Sequence, residues 1–328
     1  MCSSDLALLS LFFFALSVFA DSYTEREEVR TFVKELAEAE SFNEKELLSI
    51  FAHAEYKQKI IDAITRPAER VLNWSQYQDI FLTERRVEAG VAFMRDNSES
   101  LAAAEEKYGV PPVIVSAIIG VETMYGRITG GYRVLDALTT LAFDYPPRAR
   151  FFRGELEHFI LLAREEKQMI TDLTGSYAGA MGLGQFIPSS YRAYAVDFDG
   201  DGFRDIWNNP TDAIGSVANY LARHGWRREG QITIPVSGEG MPGDIFNVSL
   251  KPSKSVGELR RLGLQDTTLS ADEQVSPMRL VGKAGDEYWL GLKNFYVITR
   301  YNHSKLYAMA VFQLSEALRD AESDPASL

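Results

Sequence analysis

The chain has 328 residues, of which 46% are hydrophobic, and a formal net charge of −12. That length supports a sizeable core or two or three subdomains, and the acidity excludes a general nucleic-acid binder, which presents a basic face. The single cysteine, Cys2, rules out an intrachain disulfide.

Leu6 to Ala20 is an apolar run the length of a signal-peptide h-region and short for a membrane span. Val18 and Ala20 place the expected cut before Asp21, so residues 1–20 form a signal peptide, although the n-region carries Asp5 and no lysine or arginine. Cys2 precedes the apolar run and is therefore not a lipid-attachment cysteine. Export without an anchor is expected.

Residues 21–109 have helical periodicity, with Val29, Phe32, Val33 and Leu36 on one stripe. Ser41 and Asn43 mark a break, and Arg66-Pro67 marks another. Trp74, Tyr77 and Phe81 form an aromatic edge at near-helical spacing, a pattern more often core than ligand platform. Glu84 to Tyr108 predicts one long helix or two.

The stretch from Val110 to Gly126, VPPVIVSAIIGVETMYG, has one charged residue, Glu122. Pro111 and Pro112 suit a helix start, and Gly126 offers a stop. Ile118, Ile119 and Tyr125 are spaced to share the face of Glu122. A carboxylate among them loses hydration, which should raise its pKa toward that of a general acid. A structural glutamate paired with an arginine fits the same pattern, and this helix alone does not separate the two. Downstream, FFRGELEHFILLA is helical, and Arg148, Arg150 and Arg153 form a basic cluster that solvated charge or glutamate pairing would explain.

Gly175 to Tyr194 (GSYAGAMGLGQFIPSSYRAY) holds too many glycines for an ordinary helix and predicts a loop of sharp turns, with Ser176 and Gln185 able to hold a polar ligand. It is neither a dinucleotide fingerprint nor a nucleophile elbow. In DFDGDGFRDIWN, Asp197, Asp199 and Asp201 stand at positions one, three and five of an EF-hand calcium loop, with Gly202 at six and the Phe203 carbonyl at seven. Asp205 holds position nine. Asn208 replaces the usual closing glutamate, and Asp212 can close a lengthened loop instead. A single loop of this kind is structural, not a sensor.

Gln231 to Gly238 alternates, as do Phe246, Val248 and Leu250. A helical turn follows at SVGELRRLG, then strands near MRLVG and EYWLGL. Helix returns from Asn302 to about Ala321, with Asn302 or Ser304 as cap and Leu306, Met309, Phe312 and Leu314 as core contacts. The four histidines have no zinc-ligand spacing.

Taken together, GVETMYG, GSYAGAMGLGQFIPSSY, DFDGDGFRDIW with DAIGSVANYLARHGW, and NFYVITRYNHSKLYAMAV resemble the B-type lytic murein transglycosylases of Gram-negative bacteria. The resemblance runs over nearly all of the chain after residue 20. It implies a mainly α, lysozyme-like core (110–229, with the EF-hand-like loop at 197–212), a surrounding helical domain (21–109, completed by 296–325) and a small β domain (230–295). It implies cleavage of the β-1,4 MurNAc–GlcNAc bond of peptidoglycan with 1,6-anhydro ends, with Glu122 as sole acid/base. It further implies that Ser176 and Gln185 bind sugar or orient Glu122, that Tyr77, Tyr220, Tyr301, Asn302 and Tyr307 line saccharide subsites, and that Arg148 meets muropeptide carboxylates. Calcium is expected on Asp197, Asp199, Asp201, Phe203 and Asp212, with no organic cofactor. A periplasmic monomer acting on glycan strands follows, without the lipobox of the lipid-anchored form. A hydrolytic muramidase on the same core and a non-catalytic peptidoglycan-binding protein are the competing readings.

Overall fold

The structure is a computed structural model that describes residues 22–66, 72–265 and 267–323; the expected signal peptide and Pro67 lie outside these residues. The chain divides into two compact units, one up to Tyr56 and one from Lys57 onward. In the first, α1 (Glu27–Glu40) buries the expected stripe of Val29, Phe32, Val33 and Leu36. Ser41 then takes a left-handed conformation that ends the helix, and the Asn43 side chain caps α2 (Glu44–Ala52) by accepting from the N–H groups of Lys45 and Glu46.

The second unit is mainly helical. Helices α3 (Gln58–Thr65) and α4 (Trp74–Phe81) precede α5 (Glu84–Asp96) and α6 (Ser98–Tyr108), so the long helical stretch is two helices. The apolar segment forms α7 (Pro112–Thr123), which opens on the expected proline pair and is buried along nearly its whole length. It stops three residues before Gly126. Met124 and Tyr125 both adopt left-handed backbone, and the Tyr125 ring leaves the face of Glu122 to pack on Phe93. Helices α8 (Val134–Asp144) and α9 (Ala149–Glu165) pack together, followed by α10 (Pro188–Tyr194) and α11 (Pro210–Arg223). Strands β1 (Tyr132–Arg133) and β2 (Thr174–Gly175) pair antiparallel and so tie the glycine-rich loop to the start of α8.

A four-stranded antiparallel sheet has the order β3, β6, β5, β4, with β3 Thr233–Pro235, β4 Lys254–Ser255, β5 Gln274–Gly282 and β6 Gly285–Gly291. Val256 and Leu259 of α12 (Val256–Arg261) join Val275 and Leu290 in a small core of its own. The alternation at Phe246, Val248 and Leu250 is not a strand: a short 3-10 turn at Gly243–Ile245 precedes it and Val248 is exposed. Helix α13 (Lys293–Tyr301) leads into α14 (Lys305–Ser323), whose start is capped by Ser304 accepting from the Tyr307 N–H. Helix α14 packs along α7. Among the described residues no helix is long and apolar enough to cross a membrane.

Candidate active site

Glu122 sits on the last turn of α7, half-buried among apolar neighbours. Its position is fixed from behind. Half-buried Arg86 donates through Nε to the Gly120 carbonyl (3.2 Å) and through Nη1 to the Ile80 carbonyl. A Cβ on Gly120 would stand 2.5 Å from the Tyr125 hydroxyl, so the bare backbone there lets the Tyr125 ring lie against the helix. Burial pushes the Tyr125 hydroxyl above the ordinary phenol range, against the opposing charge of Arg86.

Thr123 joins this helix to the glycine-rich loop. Its hydroxyl lies 2.9 Å from the Leu183 carbonyl and 3.1 Å from that of Ile119, and accepts from the Gly126 N–H (3.0 Å). Leu183 in turn donates its N–H to the Ile206 carbonyl (2.9 Å). Gly182 makes that approach possible: its φ is +69°, and a Cβ would meet the Ile206 oxygen at 2.5 Å. One residue thus couples the acidic helix to the loop that follows the aspartates. Sequence reasoning passed over Thr123, although its place directly after Glu122 was a usable signal.

Phenols stand beside the carboxylate. Tyr307, on the first turn of α14 and 2% exposed, donates its hydroxyl to Glu122 Oε1 at 2.7 Å. Tyr301 stacks its ring on Tyr307 at 6.4 Å and donates to the Gly184 carbonyl (2.6 Å). Burial first, then the charge of Glu122, holds both hydroxyls well above the ordinary phenol range, so both remain protonated donors. Tyr220 is buried, with its ring against Tyr301 and its hydroxyl on the Arg300 carbonyl. Tyr77 is buried on α4 between Trp74 and Phe81, and its phenol acts electrostatically on Tyr307. Tyr77, Tyr220 and Tyr307 are therefore buried, and open ring platforms are not what they present.

The loop residues are engaged as well. Ser176 Oγ accepts from the N–H groups of Ala178 (3.3 Å) and Ala180 (3.0 Å), which shapes the turn. Gln185 has φ +51° and donates its amide to the carbonyls of Gly182 (2.9 Å) and Thr129 (3.1 Å). Asn302 ends α13 in extended backbone. Arg148 is exposed and lies over Phe151 at 4.3 Å, and none of its contacts among the described residues reaches Glu122.

In the acidic loop, carboxylate oxygens of Asp197, Asp199 and Asp212 all lie within 4.8 Å of one another. Asp212 is fully buried and accepts from the N–H groups of Phe198 (2.7 Å) and Asp205 (2.8 Å). Burial, and then the charges of Asp199 and Asp197, raises its carboxyl above the ordinary range. The Asp201 carboxylate is not in the group and accepts instead from the Phe203 N–H (2.9 Å). Asp205 caps Trp207 and Asn208, whose side-chain amide points back to it. Asp212, not Asn208, therefore joins the two leading aspartates.

A carboxylate held by a phenol at the end of an apolar helix, and tied through Thr123 to a glycine-rich loop in a mainly helical fold, can carry acid/base chemistry. A family model described as the transglycosylase SLT domain matches residues 24–316, and the chain belongs to that family. It is 41% identical over 308 residues to the membrane-bound lytic murein transglycosylase B of Escherichia coli, covering 90% of this chain and 84% of the relative. Among solved structures, the lytic transglycosylase SltB1 from Pseudomonas aeruginosa shares 51% identity at a TM-score of 0.88, covering 91% of this chain and 99% of that one. The Escherichia coli lytic transglycosylase Slt35 in complex with calcium shares 42% identity at a TM-score of 0.85, covering 92% and 96%.

Proposed function

We propose that the protein cleaves the β-1,4 bond between MurNAc and GlcNAc in peptidoglycan, with Glu122 as the single general acid/base, and leaves 1,6-anhydromuramoyl ends. The observation that carries the assignment is the short hydrogen bond from a buried phenol to Glu122 at the end of an apolar helix. Glu122 first protonates the glycosidic oxygen, as a partly desolvated carboxylic acid can. The N-acetyl oxygen of the substrate supports C1 in place of a second carboxylate. Glu122, now ionised, takes the proton of the muramoyl 6-hydroxyl, which closes on C1. Tyr307 holds the carboxylate in one rotation through both steps, and its neutral hydroxyl donates to either protonation state.

Under this reading the groove is shaped by Ser176 and Gln185 through the turns they fix, with Tyr77, Tyr220, Tyr301 and Asn302 supporting the saccharide subsites, and Arg148 meets substrate carboxylates at the periphery. The core at 110–229, the helical domain at 21–109 with 296–325, and the β domain at 230–295 are the corresponding division of the chain. Residues 1–20 direct export, and the protein works in the periplasm as a monomer. Mass spectrometry of products from purified peptidoglycan tests the reaction: anhydro ends are expected, and hydrated reducing ends would make water the nucleophile.

The convergent aspartates fit a calcium ion. Three hard carboxylate oxygens, one of them buried, concentrate negative charge that a dication neutralises. Asp197, Asp199 and Asp212 would hold it, with Asp201 and the Phe203 carbonyl as the remaining sequence-predicted ligands. Calcium supplies structural charge neutralisation, and the ties from Ile206 to Leu183 and from Leu183 to Thr123 pass that rigidity to the helix of Glu122. At about a hundredfold over its dissociation constant the ion adds about 2.7 kcal/mol of stability, roughly 5–10 °C in Tm for a domain of this size. That gain is expected in the wild type, to disappear in chelator, and to be lost in Asp199→Ala. Equal Tm shifts of the variant with and without calcium would remove the metal from the site.

A further inference from the structure

We infer that the cleft between the turn after α11 and the edge of the β sheet binds the ionic end of a peptidoglycan stem peptide; this rests on the substrate class proposed above. Two cavities of about 190 and 170 Å³ share Arg227, Glu273 and Lys293 in their walls, and Lys251 lines the smaller one. None of these four side chains is in an ion pair among the described residues. Three cations around one carboxylate form a positive concavity in a chain whose net charge is −12. Cations left facing a half-enclosed space are ready to pair with carboxylates brought by a ligand.

The walls are built in advance. Asn294, 1% exposed, accepts from the Arg227 N–H (2.8 Å) and donates to the carbonyls of Arg227 and Gly230 (both 2.8 Å), which locks the turn that carries the arginine. Leu292 and the ring of Tyr296 add apolar surface, the latter 5.5 Å from the Lys293 ammonium. The matching ligand carries more than one carboxylate, one ammonium for Glu273 and small methyl groups. A stem peptide with a diamino acid and terminal alanines has this composition.

The spacing agrees. Lys293 opens α13 and Tyr301 closes it, so these two residues stand roughly 12 Å apart along the helix axis at about 1.5 Å per residue. An extended peptide of about five residues spans roughly 17 Å. A stem of that length exceeds the separation of Lys293 from Tyr301, whose ring stacks on the Tyr307 that donates to Glu122.

The test compares glycan strands bearing stem peptides with the same strands stripped by an amidase. For Arg227→Gln/Lys251→Gln, KM on peptide-bearing strands is expected to rise about tenfold at low salt with kcat unchanged, while both parameters on stripped strands stay at the wild-type values. A free stem tetrapeptide titrated by NMR should shift resonances around Lys293 in the wild type and not in the variant. Glu273→Gln should weaken binding of that peptide, but not of one whose side-chain amine is acetylated. Equal KM changes on both strands, or none on either, would overturn the site. Wild-type protein that cleaves neither strand would remove the catalytic reading instead, and the peptide titration would then decide this one.

Discussion

Glu122→Gln is expected to yield a folded protein that releases no anhydromuropeptides, with turnover reduced about 10³-fold or more, since a general acid/base commonly contributes about 10²–10⁴ and in the proposed reaction one residue performs both transfers. The amide is nearly isosteric, and its oxygen still accepts from Tyr307, whose hydroxyl lies 2.7 Å from the carboxylate. Helix α7 keeps its buried contacts, so stability should move by less than about 1 kcal/mol. Product mass spectrometry beside a thermal melt separates chemistry from folding. Turnover within tenfold of wild type at an unchanged Tm would assign the proton transfers to another group.

Tyr307→Phe isolates the partner. A hydrogen bond to a charged group contributes about 1.5–3 kcal/mol, so kcat should fall roughly 10- to 100-fold while KM changes little. The ring stays in its buried stack on Tyr301, which keeps the packing. Tyr301→Phe is the control: its hydroxyl serves the Gly184 carbonyl and not the carboxylate, so its larger effect should be on stability. If the two substitutions lower kcat equally, the direct bond to Glu122 is not what matters.

The parts of the site that were legible in the sequence are those where local chemistry dictates backbone. The proline pair opens α7 where expected, and the strands expected near MRLVG and EYWLGL form the long hairpin. The helix end was misjudged because Met124 and Tyr125 take left-handed conformations with no glycine to announce them; tertiary packing of the Tyr125 ring selects that turn. The aspartate spacing located the acidic loop, yet loop position alone did not show that Asp201 would turn to the Phe203 N–H. The family resemblance pointed to Tyr77, Tyr220 and Tyr307, but which way a phenol faces depends on helices distant in sequence.

That distance has a consequence for timing. Glu122 and Tyr307 are separated by 185 residues, which a ribosome adds in roughly 10–40 s at about 5–20 residues per second. Throughout that interval the nascent chain contains the acid but not the phenol that steadies it. Under the proposed mechanism, cleavage is thus acquired only when α14 docks, and a fragment ending before Lys305 carries Glu122 without the phenol that holds it.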